Sequence, residues 1–494
     1  MPIDADSAYQ ALTARDARFD GRWFVGVTST RVYCRPICRV RTPKRENCRF
    51  FDTPAQAEAA AFRPCMKCRP EIAPGEGLPW SVMDASRTLA RQAAQRLDRC
   101  AGTGDAPNVA DHAAALGVSE RHLRRIFLAE HGVTPIQYVQ TRRLLLAKQL
   151  LTDTQLPVTQ VALASGFKSL RRFNAAFADN YRMSPGQLRR RAAPDDPARS
   201  PGVTLSLGWR EPYDAENLLR FFAQRAIPGS ESAEPSRLRR SLRAGIVSDE
   251  PGWIEASFEP AASKVRLHFC PEWALASARV AAAARRWLDL DAAPHSIDAA
   301  LTGLPGTPGL RLPGSLDAFE LAVRAVLGQQ VTVAAARTLA TRLVERFGTP
   351  LATPWPGIDR VFPAPELMAD ARMEEIADLG IIRSRAGAIV ALAQAWPSID
   401  ARLRSGAAPD AVVEPLLETL CALAGIGPWT AHYIAMRALS WPDAFPPRDV
   451  AVLKAMQQLF GVATPAAAEA HSQAWRPWRS YAVLRLWNSL ETST

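Results

Sequence analysis

Two close cysteine pairs near the N-terminus limit what this chain can fold into more than any other feature. Cys34 and Cys38 are spaced C-x3-C, Cys65 and Cys68 are spaced C-x2-C, and 26 residues separate the pairs. Each pair sets two sulfurs on one turn, and folding that joins the turns builds a tetrahedral four-thiolate site suited to one zinc ion. A purely structural zinc site satisfies the same spacing. The neighbours suggest more, because Arg31, Arg35, Arg39 and Lys67 crowd round four thiolates. Such cations keep thiolates nucleophilic while holding a polyanion nearby.

The chain has 494 residues, enough for three or four domains with their own cores. Its charge is unevenly placed: residues 1–200 carry net +12 and the remainder net −1. A basic N-terminal field of this kind usually means a nucleic-acid partner. Asp4, Asp6 and Arg15 interrupt the N-terminus and no apolar run approaches the length of a membrane span, so neither a signal peptide nor membrane association is expected. A cytoplasmic, nucleoid-associated protein follows. In that reducing setting the isolated Cys48, Cys100, Cys270 and Cys421 read as inert thiols.

Gly, Pro and charge collect without apolar period at 70–77 and 192–202, and more weakly at 302–309. Four domains are expected: 1–78, 80–192, 203–300 and 301–494. The fold class is multidomain and mainly α with α+β parts: a small zinc-bound α+β domain, an all-α domain, an α+β domain and a second all-α domain. Within 80–192 two similar units follow one another, Val109 to Phe127 and Val158 to Phe177. Each reads as a helix, a glycine turn and a second helix, as in a helix-turn-helix. The second helices offer Arg121, His122, Arg124 and Arg125, then Ser169, Arg171, Arg172 and Asn174, to the major groove.

A second constellation lies in Leu423-Ala-Gly-Ile-Gly-Pro-Trp-Thr-Ala431. Gly425 and Gly427 between two helical patterns let backbone amides converge on a phosphate at the start of the following helix, beside Thr430. Trp429 and Tyr433 share one helix face at i and i+4, and Asp449 follows 22 residues after Gly427. A helix N-cap before Val450 is a sound structural role for Asp449 and is compatible with a catalytic one.

These motifs carry three resemblances. Residues 1–78, with Tyr33-Cys-Arg-Pro-Ile-Cys38 and Arg63-Pro-Cys-Met-Lys-Cys68, resemble the N-terminal domain of the Ada alkylation-response family. That resemblance implies zinc on four cysteines and a first cysteine, here Cys34, that accepts a methyl group from a methylated DNA phosphate. Residues 80–192, ending in Asn180-Tyr-Arg-Met-Ser-Pro-Gly-Gln-Leu188, resemble AraC-type DNA-binding domains, which act at promoters and imply RNA polymerase as a partner. Residues 203–494 resemble the AlkA branch of helix-hairpin-helix DNA glycosylases, through Leu327-Gly-Gln329, Gly425-Ile-Gly-Pro-Trp-Thr-Ala431 and Trp475-Arg-Pro-Trp-Arg-Ser-Tyr-Ala482.

The last resemblance implies Asp449 as the catalytic carboxylate, a base pocket of Trp429, Tyr433 and Trp487, and no cofactor for the glycosylase chemistry. Relatives that cleave DNA through a Schiff base carry Lys at the hairpin position held here by Trp429. A monofunctional hydrolase acting on bases such as 3-methyladenine is therefore expected. Gln330 stands where the branch often has an apolar wedge, and Asn488 follows Trp487 where an aromatic might stand. The Pro-Cys-His-Arg site of alkylguanine transferase domains is absent from the sequence. Together these readings describe a monomer on double-stranded DNA that senses methylphosphotriesters, regulates promoters and excises alkylated purines. The rivals are a glycosylase tethered to DNA by a structural zinc half, and a transcription factor whose glycosylase-like half is inert.

Overall fold

The computed structural model describes residues 4–75, 85–100, 108–191, 202–404 and 409–491. It has two units by backbone packing. The first comprises Met1–Glu211, Glu259–Ala283 and Leu290–Ala292, and the second Pro212–Phe258, Ala284–Asp289 and Ala293–Thr494. The segment 203–300 is shared between them. The expected breaks at 70–77 and 192–202 lie partly outside the described residues, as does the side chain of Cys100. No described helix is long and apolar enough to cross a membrane.

The first unit opens with a helix, Ala5–Ala14, capped by Asp4, and a four-stranded sheet. Its strands are β1 (Phe24–Val27), β2 (Val32–Cys34), β3 (Cys48–Phe51) and β4 (Arg63–Pro64), in the order β3-β1-β2-β4. β1 runs antiparallel to both β2 and β3, while β2 and β4 are parallel with Tyr33 opposite Pro64. This one parallel register delivers the two cysteine pairs to the same place: Cys34 ends β2, and the Cys65 amide, just past β4, donates to the Tyr33 carbonyl at 2.9 Å.

Helices then follow in the expected doubled pattern. Val109–Ala115 and Glu120–His131 form one pair, Val158–Ala164 and Leu170–Tyr181 the other, with the 19-residue helix Pro135–Asp153 between them. Gly117 (φ 68°) and Gly166 (φ 83°) make the turns, where a left-handed backbone favours residues without a Cβ. Ser119 and Ser169 then cap the second helices by accepting from the amides of His122 and Arg172. Leu123, Ile126 and Phe127 in one pair, and Phe173 and Phe177 in the other, turn inward and leave the intervening polar residues outside.

Buried charges link the segments of this unit. Lys148, 1% exposed, places Nζ 2.5 Å from Glu71 Oε2. Arg69, directly after Cys68, reaches Glu71 at 3.0 Å and Asp153 at 2.6 Å. Asp153 Oδ2 in turn accepts from the Ser206 amide at 2.9 Å, and Gln149 Nε2 donates to the Ser206 carbonyl at 2.8 Å. Ser206 lies in β5 (Val203–Gly208), which pairs antiparallel with β9 (Lys264–Phe269). A further acid, half-buried Glu58, accepts from Tyr33 Oη at 3.2 Å, and its other oxygen is buried with no hydrogen-bond partner among the described residues.

The second unit contains an antiparallel meander of β6 (Glu231–Glu234), β7 (Arg237–Leu242) and β8 (Gly252–Glu259). The rest is helical, around buried Phe319, Leu327, Ile389, Leu416, Ala431, Met436, Ala455 and Leu486. Its hairpin joins the helix Pro409–Cys421 to the helix Pro428–Ala438, and Asp449 opens the helix Val450–Phe460. Mainly helical units with small sheets match the expected fold class.

Candidate functional site

The Sγ atoms of Cys34, Cys38, Cys65 and Cys68 all lie within 4.8 Å of one another. A tetrahedral zinc–thiolate site holds its sulfurs about 3.8 Å apart, so the quartet has the size and donor chemistry for that ion. Mutual hydrogen bonding splits the thiols: the bond with Cys38 pushes Cys34 up, whereas the bond with Cys34 lowers Cys38 to about 7. Four sulfurs this close ionise together only with a cation among them. Amides also face the sulfurs, with Lys67 N 3.4 Å from Cys65 Sγ and Arg35 N 3.4 Å from Cys68 Sγ.

The cations round the quartet divide into two kinds. Arg31, Arg39 and Lys67 are exposed and able to meet a phosphate backbone. Arg35, expected among them, is not: it is 4% exposed, its Nε donates to Asp20 Oδ1 at 2.8 Å, its Nη2 to Asp20 Oδ2, and its Nη1 to the Cys68 carbonyl at 3.2 Å. It staples the two cysteine turns together. Asp20, which neutralises it, stands 15 residues away in sequence and carried no local signal.

On the helical pairs, Arg121, Arg124, Arg125, Arg171, Arg172 and Asn174 are exposed on the faces opposite the buried aromatic residues. Arg124 bonds Glu120 one turn back, and Arg125 Nη2 lies 3.1 Å from His122 Nδ1, which restrains both guanidinium groups on the helix surface. Ser169 is committed to its cap, so it positions the helix first.

In the second unit the helix Pro428–Ala438 brings Trp429 and Tyr433 into a stack, with ring centres 5.3 Å apart and planes 8° from parallel. Trp487 adds a third ring 6.3 Å from Tyr433. Asp449, 7% exposed, receives three donors: Trp429 Nε1 at 2.7 Å on Oδ2, with Val452 N at 2.8 Å and Trp487 Nε1 at 3.2 Å on Oδ1. The side chain thus caps the helix, as one expected role has it, and also accepts from two indole N–H groups. Such a group stabilises positive charge that develops beside it.

The hairpin is built differently at its two glycines. Gly425 has φ 84°, and a Cβ there would come 2.8 Å from Ala388 Cβ, so the fold itself requires glycine. At Gly427 a Cβ would meet nothing within 4 Å. This residue opens the helix without a side-chain cap, and because Pro428 has no N–H the donors left available to an anion are the amides of Trp429 and Thr430. Thr430 is 3% exposed and points inward, which corrects its expected place on the DNA surface: its Oγ1 accepts from Gln329 Nε2 at 3.0 Å. Gln329 also donates to the Gly425 carbonyl at 2.8 Å, and its own carbonyl accepts from Arg385 Nη2. That clamp presents the next residue, Gln330, exposed and left-handed at φ 52°.

Arg437 was not singled out from the sequence. Its Nη1 donates to Tyr433 Oη at 2.8 Å, and its Nε donates to the Pro313 carbonyl at 2.8 Å. The one available signal was spacing, since positions 429, 433 and 437 share a helix face.

Comparison with known proteins gives the same succession of parts. Residues 7–71 match the metal binding domain of Ada, 112–191 a helix-turn-helix domain, 204–317 the AlkA N-terminal domain, and 323–480 the HhH-GPD superfamily base excision DNA repair proteins. A Mycobacterium tuberculosis protein named "Probable bifunctional transcriptional activator/DNA repair enzyme AlkA" is 38% identical over 505 residues, covering 99% of this chain and 97% of its own. DNA-3-methyladenine glycosylase 2 of Escherichia coli is 35% identical over 283 residues, covering 57% of this chain and 96% of its own. Among solved structures, the 3-methyladenine DNA-glycosylase of Archaeoglobus fulgidus is 20% identical with a TM-score of 0.48, covering 57% of this chain and 97% of its own.

Proposed function

The chain belongs to the family of bifunctional transcriptional activator/DNA repair enzymes that includes the M. tuberculosis AlkA protein, and from this we propose that it excises alkylated purines from DNA and regulates the response to alkylation. The observation that carries the repair half is Asp449 held by the indole N–H groups of Trp429 and Trp487 at the edge of a three-ring cluster. Alkylation at N3 or N7 makes a purine cationic, so its glycosidic bond breaks early and leaves positive charge on the sugar. Asp449 stabilises that charge and orients the attacking water. The rings of Trp429, Tyr433 and Trp487 receive the flipped base, and a cationic base gains most from their π faces. Gly425 shapes the hairpin, the amides after Gly427 grip the backbone, and Gln330 enters the space that the base leaves.

In the regulatory half, Cys34 attacks the methyl carbon of a DNA methylphosphotriester. The S–C bond forms as the C–O bond breaks, and the phosphate departs as an ordinary diester anion. Zinc held by Cys34, Cys38, Cys65 and Cys68 would keep the sulfurs ionised at neutral pH. Methylation removes one negative charge, which lessens repulsion from DNA and strengthens promoter binding through Arg31, Arg39, Lys67 and the two reading helices. Two reading helices in one chain suit a monomer on DNA, and activation at a promoter makes RNA polymerase the partner.

Intact-mass spectrometry after incubation with DNA carrying methylphosphotriesters tests the regulatory half. The expected result is a gain of one methyl in the wild type and none in Cys34→Ala. An unchanged mass with zinc bound would make the quartet structural. Release of 3-methyladenine from alkylated DNA by the same preparation tests the repair half, and no release would end that reading.

A further inference from the structure

We propose that Arg448 grips a DNA phosphate beside the flipped nucleotide, a contact that also neutralises a cation which would otherwise work against Asp449; the proposal rests on the base-excision reading above. Pro447 and Arg448 form the turn that leads into the Asp449 cap. Arg448 holds the second place in that turn at φ 58°, a left-handed backbone that favours Gly or Asn. Keeping a long side chain there costs stability, and strain of this kind collects where a ligand is bound. Gln330, at φ 52°, has the same backbone on the other side chain that the reading sends toward DNA.

The fold makes no use of the Arg448 side chain. It is exposed, and among the described residues it has neither a hydrogen bond nor an ion pair. The acids around it are taken. Glu469 lines the same cavity as Arg448 and Asp449, yet its Oε1 accepts from Arg479 Nη1 at 3.1 Å and Gln473 Nε2 at 3.0 Å. Asp443 pairs with Arg479 at 2.8 Å and with Arg476 at 3.4 Å. Asp449 is engaged by its three N–H donors. That carboxylate, 7% exposed, stands between Arg448 and Val450, which is 81% exposed. The edge that carries it is therefore open, and the one unpaired charge on that short segment is positive.

Such a cation is awkward for the reaction by itself. Asp449 is there to stabilise positive charge on the sugar, and a bare guanidinium on the preceding residue repels the same charge. A phosphate removes the conflict. The diesters on either side of the flipped nucleotide are joined to the reacting sugar and are its nearest anions. Their paired oxygens match the planar fork of a guanidinium, which binds phosphate through two parallel N–H bonds. Bound in this way, Arg448 adds affinity for DNA at the lesion and leaves the field of Asp449 unopposed.

The test is single-turnover release of 7-methylguanine by the full-length protein from duplexes with one lesion, replacing one flanking phosphate at a time by an uncharged methylphosphonate. That methyl is bonded to phosphorus through carbon, so Cys34 cannot remove it. At one position the replacement should raise the half-saturating concentration of the wild type and have no further effect on Arg448→Ala. The slope of log half-saturating concentration against log salt should fall by about 0.9 in Arg448→Ala and stay at the wild-type value in Arg448→Lys, with the saturating rate unchanged in both. If Arg448→Ala keeps the wild-type slope, or responds to every methylphosphonate as the wild type does, the proposal is overturned. It is overturned equally if Arg448→Lys loses as much as Arg448→Ala, since the turn rather than the charge would then be the cause. A wild type that releases no base from any duplex would instead overturn the underlying repair reading.

Discussion

Asp449→Asn separates the two roles of the carboxylate at the centre of the repair site. Asn caps a helix about as well as Asp, so the bond from the Val452 amide to the side-chain oxygen survives. With the Asn oxygen at the Oδ1 position, which Val452 N and Trp487 Nε1 share, its NH2 group faces the Trp429 indole N–H. One hydrogen bond to a charged acceptor is lost and two donors confront each other, costing about 1.5–3 kcal/mol of folding stability. The rate should suffer separately. Removing one preorganised electrostatic stabiliser of a transition state typically costs about 2.7–4 kcal/mol, or 10²–10³ in kcat. Single-turnover release of 3-methyladenine and thermal unfolding, measured on the same preparation, read the two terms apart. A variant that unfolds earlier yet releases the base at the wild-type rate would refute the catalytic assignment and leave Asp449 as a cap.

Arg35 and Arg39 flank the same thiolates and should behave oppositely. Breaking the buried Arg35–Asp20 pair with Arg35→Ala should destabilise by about 3–5 kcal/mol in urea unfolding, whereas exposed Arg39→Ala should leave stability unchanged and reduce the salt dependence of DNA binding. Gly425→Ala should cost more than about 1 kcal/mol and weaken DNA binding, because it combines a left-handed backbone with a 2.8 Å approach to Ala388; gel-shift and unfolding assays read both effects. Glu58, which burial pushes to about 8 from 4.5, binds its proton more tightly folded than unfolded, so its contribution to stability is full below about 4.5 and is lost as pH rises toward 8. Glu58→Gln should therefore gain on the wild type in urea unfolding as pH rises across that window, and a difference independent of pH would contradict the assignment.

The sequence was legible where chemistry is local. A turn that holds two cysteines, a glycine between two short helices, and aromatics one helical turn apart each state their geometry within a few residues. Cys34 to Cys68, the doubled helical pairs and the Trp429–Tyr433 stack were therefore readable. Partners fixed by tertiary packing were not. Arg35 reads as a DNA-facing cation until Asp20 buries it, and Thr430 reads as a surface hydroxyl until Gln329, 101 residues earlier, turns it inward. The same holds for Arg437, whose partners at Pro313 and Gly314 lie 124 and 123 residues away.

The ladder from Arg69 through Glu71, Lys148 and Asp153 to Ser206 bears on how such a chain can be cut and recombined. By sequence the first three segments look like interchangeable cassettes. Yet excising residues up to 78 would strand the Lys148 ammonium in the interior, and ending the chain after 192 would remove the amide that Asp153 holds. Grafts that exchange one cassette should inherit an unpaired interior charge, and those that carry positions 69, 71, 148, 153 and 206 together should not.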